Sequence, residues 1–162
     1  MSIELIIGLA SIAVSSLIGV FGGILTYRFN NNSKTHFAQT EKIESDRMMK
    51  ELFKEFNGRY DKINNKLDKI SKMSVKKWEG QKEEKKVIRY GIVMDFFNIC
   101  AEEHFWHKEG RINGNIWGSW EKGMNDIYNR SEVIQRLWDE ECENGGYKSY
   151  YLSNKNEIFK KL

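Results

Sequence analysis

Leu5-Ile-Ile-Gly-Leu-Ala-Ser-Ile-Ala-Val-Ser-Ser-Leu-Ile-Gly-Val-Phe-Gly-Gly-Ile-Leu-Thr-Tyr27 decides how the rest of the chain is read. These 23 residues hold no charge, no Asn or Gln and no Pro, and twelve of them are Leu, Ile, Val or Phe. As a helix rising ~1.5 Å per residue the stretch measures roughly 35 Å, enough for a hydrocarbon core of about 30 Å with some tilt. It predicts a single membrane-spanning helix. A cleaved signal peptide would need a basic start and a shorter apolar core. The leader here is Met1-Ser2-Ile3-Glu4.

No Lys or Arg precedes the span, whereas Arg28, Lys34, Lys42, Arg47 and Lys50 follow it. The positive-inside rule then predicts an inner-membrane protein with its N-terminus outside and everything after Arg28 in the cytoplasm. Within the span, Ser11, Ser15, Gly19 and Gly23 recur every fourth residue and share one helix face. Small residues so placed let two helices approach closely, which predicts self-association into a homo-oligomer.

All 26 basic residues but only 22 acidic ones lie after Tyr27, a net of +4 for that part. That balance suits a neighbour of an anionic leaflet and argues against a nucleic-acid partner. Pro is absent, so nothing in the chain forces helices to end. The prediction is all-α: an anchor over 1–30, a linker and long amphipathic helix over 31–80, and a cytosolic helical domain over 81–162. Arg28-Phe-Asn-Asn-Asn-Ser-Lys34 reads as the stop of the membrane helix and a short hinge.

Beyond that hinge, Met49, Phe53, Phe56, Tyr60, Ile63, Leu67 and Ile70 alternate steps of four and three, a heptad seam. Its flanks pair a basic row (Arg59, Lys66) with no acidic one, so partner-selecting ion pairs are missing. The seam is better read as a helix packing on its own domain than as a coiled coil. Ser74–Lys86, with Gly80, reads as a turn. Val87–Trp106 is apolar nearly all round and reads as the central helix, with Asp95, Asn98 and Glu102 as a polar stripe that faces solvent or, as the alternative, floors a polar pocket. Gly110 suits a helix end, Asn113 or Asn115 a helix start, and Ser131 another start. Asn144-Gly145-Gly146 reads as a stop before a last, irregular helical segment.

Glu102-Glu103, Gly110-Arg111-Ile112, Trp117-Gly118-Ser119-Trp120 and Trp138 followed by Tyr147 and Tyr150 stand in that order behind one N-terminal apolar span. In this the chain resembles an uncharacterised bacterial family of small proteins with one N-terminal membrane helix and a helical cytosolic domain of unknown function. The resemblance covers the anchor and roughly residues 87–151, and it implies location and helical architecture but no chemistry.

The most enzyme-like residues are Glu103, His104 and His107, which one helix could turn toward a metal ion. Their spacing matches neither HExxH, nor HxxEH, nor the ExxH of di-iron bundles. No GxSxG, Walker A or GxGxxG occurs. The expectation is therefore no enzyme, no metal and no cofactor. Cys100 and Cys142 form no CxxC and read as buried thiols. The aromatics Trp106, Trp117, Trp120 and Trp138 are candidates for an interaction surface, since aromatic residues are favoured there. The functional expectation is a membrane-anchored, non-enzymatic adaptor binding an unidentified cytosolic protein. The alternative is an oligomerising membrane effector, such as a small toxin or phage-defence component.

Overall fold

A computed structural model describes residues 2–161, apart from the side chains of Leu9, Ala10 and Ala13. The architecture is all-α: 83% of the chain is helical, and among the described residues there is no strand. Among the described residues five helices follow in order, α1 (Ile3–Ser71), α2 (Val75–Glu79), α3 (Glu83–Lys108), α4 (Gly114–Asn129) and α5 (Glu132–Glu141), then a 3-10 segment over Glu143–Tyr150. The chain divides into two compact units, Met1–Arg47 and Met48–Leu162.

Two expected boundaries move. The hinge at Arg28–Lys34 is absent, because α1 runs through it unbroken. Asn costs a helix only about 0.7 kcal/mol per residue relative to Ala, and without Gly or Pro in the run nothing forces a stop. The Thr35 and Thr40 hydroxyls bond back to the Asn31 and His36 carbonyls, keeping their own polar groups satisfied within the helix. The unit boundary falls at Arg47/Met48 instead of 30/31, and residues 48–71 share a core with the residues assigned to 81–162.

In the first unit every Leu, Ile, Val and Phe whose side chain is described is exposed, Leu17 at 70% and Phe21 at 67%. Ser11, Ser15, Gly19 and Gly23 are exposed too. Among the described residues, no helix is long and apolar enough to cross a membrane. Leu9, Ala10 and Ala13, which belong to the apolar stretch, are the ones whose side chains are not described. The fold thus carries the all-α part of the expectation and not the span.

The second unit is built on α3, whose Ile92, Val93, Phe96, Phe97, Ile99, Cys100 and Ala101 are all buried. Rings from distant parts of the chain meet there: Phe97 and Trp138 at 4.9 Å, Trp138 and Phe159 at 4.9 Å, and Tyr128 stacked on Phe159 at 4.7 Å. From α1, Leu52, Phe56, Ile63, Leu67 and Ile70 are buried in the same core, with Met49 and Tyr60 half-buried against it. Phe53 stays 43% exposed. The heptad seam packs on its own unit.

Local signals stop and start the helices. Ser74, Asn113 and Ser131 cap α2, α4 and α5 by accepting from the Lys77, Ile116 and Ile134 amides. The expected turn at Ser74–Lys86 contains α2, and its Trp78 is buried. Gly110, at φ +70°, takes the left-handed turn after α3. Gly146 lies so close to the Glu141 carbonyl that any Cβ would overlap it. Of the last expected segment, residues 147–150 lie in the 3-10 stretch and the described residues from Tyr151 on are not helical. Instead the Asn125 amide donates to the Ile158 carbonyl at 3.0 Å, and its oxygen accepts from the Lys160 amide at 2.7 Å. The Trp138 indole donates to the Lys155 carbonyl. With its backbone satisfied by side chains, the tail forms a strap that drives Ile158 and Phe159 into the core.

Candidate functional site

Glu102 and Glu103 are adjacent on α3 and meet opposite surroundings. Arg59 of α1 donates twice to the Glu102 carboxylate, at 2.5 and 2.9 Å. That fork-to-carboxylate pairing removes Glu102 from the expected solvent stripe, while Asp95 and Asn98 remain exposed. The paired carboxylate in turn holds the Arg59 pKa above its ordinary value.

Glu103, one residue on, is 1% exposed. The Tyr60 hydroxyl donates to its Oε2 at 3.2 Å, and the Cys100 thiol lies 3.5 Å from the same hydroxyl. Among the described residues Tyr60 is the one hydrogen-bond donor to this carboxyl, and no cation pairs with it. Burial drives the Glu103 pKa up to about 8, against the pull of the Tyr60 hydrogen bond and of Arg59. Glu103 is therefore largely protonated at neutral pH. Burial also pushes Tyr60 and Cys100 well up, so both stay neutral.

A cavity of about 180 Å³ opens beside this carboxyl. Tyr60, Glu103, Trp120, Met124 and Ile127 form its walls, and the exposed Asn57, Ser119 and Gly123 its rim. Trp120 is held by Phe53 and Phe56, both at 5.7 Å between ring centres. The walls are apolar and aromatic around one buried ionisable group, the usual make-up of a small-ligand site.

The three candidate metal ligands are not brought together. Glu103 turns to Tyr60. His107 stacks on Trp117 at 4.8 Å and its Nδ1 lies 3.0 Å from the Ile112 carbonyl. His104, buried, faces Glu157 at 3.9 Å, and its Nδ1 has no partner among the described residues. Burial lowers the His104 pKa, so the ring is neutral. Among the described residues no group of three His, Cys, Asp or Glu is placed to hold a metal ion.

No family model, curated protein or solved structure matches the chain. The site stands on its geometry alone.

Of the four tryptophans that were candidates for an interaction surface, Trp138 and Trp117 are buried, because Trp138 fills the aromatic core and Trp117 packs on His104 and His107. Trp106 and Trp120 are half-buried. Cys100 and Cys142 are buried free thiols, as expected. The cavity itself escaped the sequence reading, although a signal was present. Glu103 follows Phe96, Ile99 and Cys100 by seven, four and three residues, which places its carboxyl on the buried face of α3. Tyr60, on the apolar seam, brings a hydroxyl that needs a partner when buried.

Proposed function

We propose that this chain is a membrane-anchored, non-enzymatic interaction protein, N-terminus outside, with its helical unit in the cytoplasm. The observation that carries the reading is the first unit itself. Its described Leu, Ile, Val and Phe side chains are all exposed. An apolar helix with no polar face gains stability from lipid or from other helices, not from water. The residues after Arg28 bring the basic flank that the orientation needs. The same layout agrees with the family resemblance drawn from the sequence.

The second unit supports the adaptor half of the reading, since it has its own core and needs nothing from the span to bury its aromatic residues. Gly19 and Gly23 have nothing within 4 Å of an added Cβ, leaving that helix face open to a second copy. Self-association there and an unidentified cytosolic protein on the helical unit are the partners proposed.

Full-length protein expressed in bacteria should stay in the membrane fraction through an alkaline carbonate wash, and deletion of residues 5–27 should release it. Recovery of full-length protein in the wash overturns the anchor. An oligomerising effector is the competing use of the same open face. It requires depolarisation on expression that Gly19→Leu abolishes, and an unchanged potential with both proteins removes it.

A further inference from the structure

We propose that the cavity between α1, α3 and α4 binds a small organic ammonium ion, its charge met by Glu103 and its apolar body by Trp120, Met124 and Ile127. This inference does not depend on the membrane reading.

A carboxyl set in a largely apolar wall with one hydrogen bond is costly to ionise unless a cation meets it. Here the nearest cation is already spoken for, since Arg59 is held in a two-pronged pairing with Glu102. Tyr60 supplies a hydroxyl to one oxygen of Glu103 and leaves the other without a hydrogen bond among the described residues. The open side of the group is the cavity. Aromatic faces attract cations, Trp most strongly, and Trp120 lines the cavity with Tyr60 as a second ring. The remaining walls take an alkyl group. An anion would find no cation in this lining, and a bare metal ion would find one carboxylate and no second carboxylate, His or Cys.

The charged and titratable groups around Glu103 are few. From α1 come Arg59, neutralised by Glu102, and Tyr60. From α3 come Cys100 and Glu102. The residues that α4 contributes to the cavity, Ser119, Trp120, Gly123, Met124 and Ile127, carry no charge. An ammonium ion therefore binds the ionised form of Glu103 and expels its proton. Because that proton leaves only near pH 8 in the empty protein, ammonium affinity should rise about tenfold per pH unit between pH 6 and 8 and then level off. A neutral ligand lacks that dependence.

The test is calorimetric titration of full-length protein in detergent with n-butylammonium and with choline, at pH 6, 7 and 8. The uncharged choline isostere 3,3-dimethylbutanol serves as control. Binding of either cation with affinity rising about tenfold per unit, and at least tenfold weaker binding of the alcohol at pH 8, supports the proposal. Glu103→Gln keeps an acceptor for Tyr60 and should abolish cation binding. If that variant does not fold, Gly123→Leu serves instead. A Cβ at Gly123 meets nothing within 4 Å, so the new side chain blocks the rim without disturbing the core, and binding should likewise disappear. No binding of either cation, binding as tight to the alcohol as to the cations, or cation binding that survives Gly123→Leu overturns it.

Discussion

The two units of this chain share a helical backbone and differ in what their side chains meet. In Met1–Arg47 the described Leu, Ile, Val and Phe side chains are exposed, from Ile6 at 49% to Ile3 at 75%. In Met48–Leu162 most residues of the same types are buried, with Ile134 and Ile158 at 0%, while Val87 and Ile88 at the start of α3 stay exposed. One unit is helical because backbone hydrogen bonds are local and nothing interrupts them. The other is helical and also folded, because its helices present faces to one another. Burial of a large aliphatic side chain contributes ~1.5–3 kcal/mol, so the two units should respond very differently to truncation.

The strongest challenge to that contrast is Trp138→Ala. Its indole contacts Phe97, Tyr150 and Phe159, and removing it should cost about 3–5 kcal/mol in a denaturant melt of the full chain. A loss under about 1 kcal/mol would mean that the second unit is loosely packed. Next in size comes pH. Glu103 binds its proton more tightly folded, at about 8, than at its ordinary 4.5. Its contribution to stability is complete below pH 4.5 and is lost as pH rises through 8. The slope across that window is roughly 1.4 kcal/mol per pH unit. Glu103→Gln should flatten the slope in melts between pH 5 and 8, and an unchanged slope would mean the carboxyl is solvated.

Smaller effects sharpen the picture within the second unit. A double-mutant cycle of Arg59→Ala with Glu102→Gln should return a coupling of about 1 kcal/mol, because both side chains remain partly wet. Ser131→Ala removes the cap on the Ile134 amide and should also cost about 1 kcal/mol. Smallest of all, Leu17→Ala in the first unit should move the melt of the second by less than about 0.5 kcal/mol. A larger shift would show that the two units are energetically coupled.

Caps were legible because they are local. Asn113 and Ser131 needed only an amide three residues ahead, and Gly110 only a left-handed φ. The hinge at Arg28–Lys34 was misread for a related reason: polar composition weakens a helix by tenths of a kcal/mol per residue and does not end it. The candidate site was half legible. Glu103, His104 and His107 drew notice as an ordered trio, yet their neighbours lie 43, 53 and 5 residues away in Tyr60, Glu157 and Ile112.

What the amino-acid order determined by itself is the all-helical character, the uncharged apolar stretch at Leu5–Tyr27, the heptad face of α1 and the helix caps, since each depends on spacing within a few turns. What only the tertiary structure decided is which face meets which. Arg59 pairs with Glu102 and leaves Glu103 alone, Trp138 goes inside, and the tail is strapped across Asn125. Those outcomes depend on contacts between residues far apart in the chain. The pKa of a carboxyl depends on what surrounds it in space, so two adjacent glutamates of one helix acquire different chemistry.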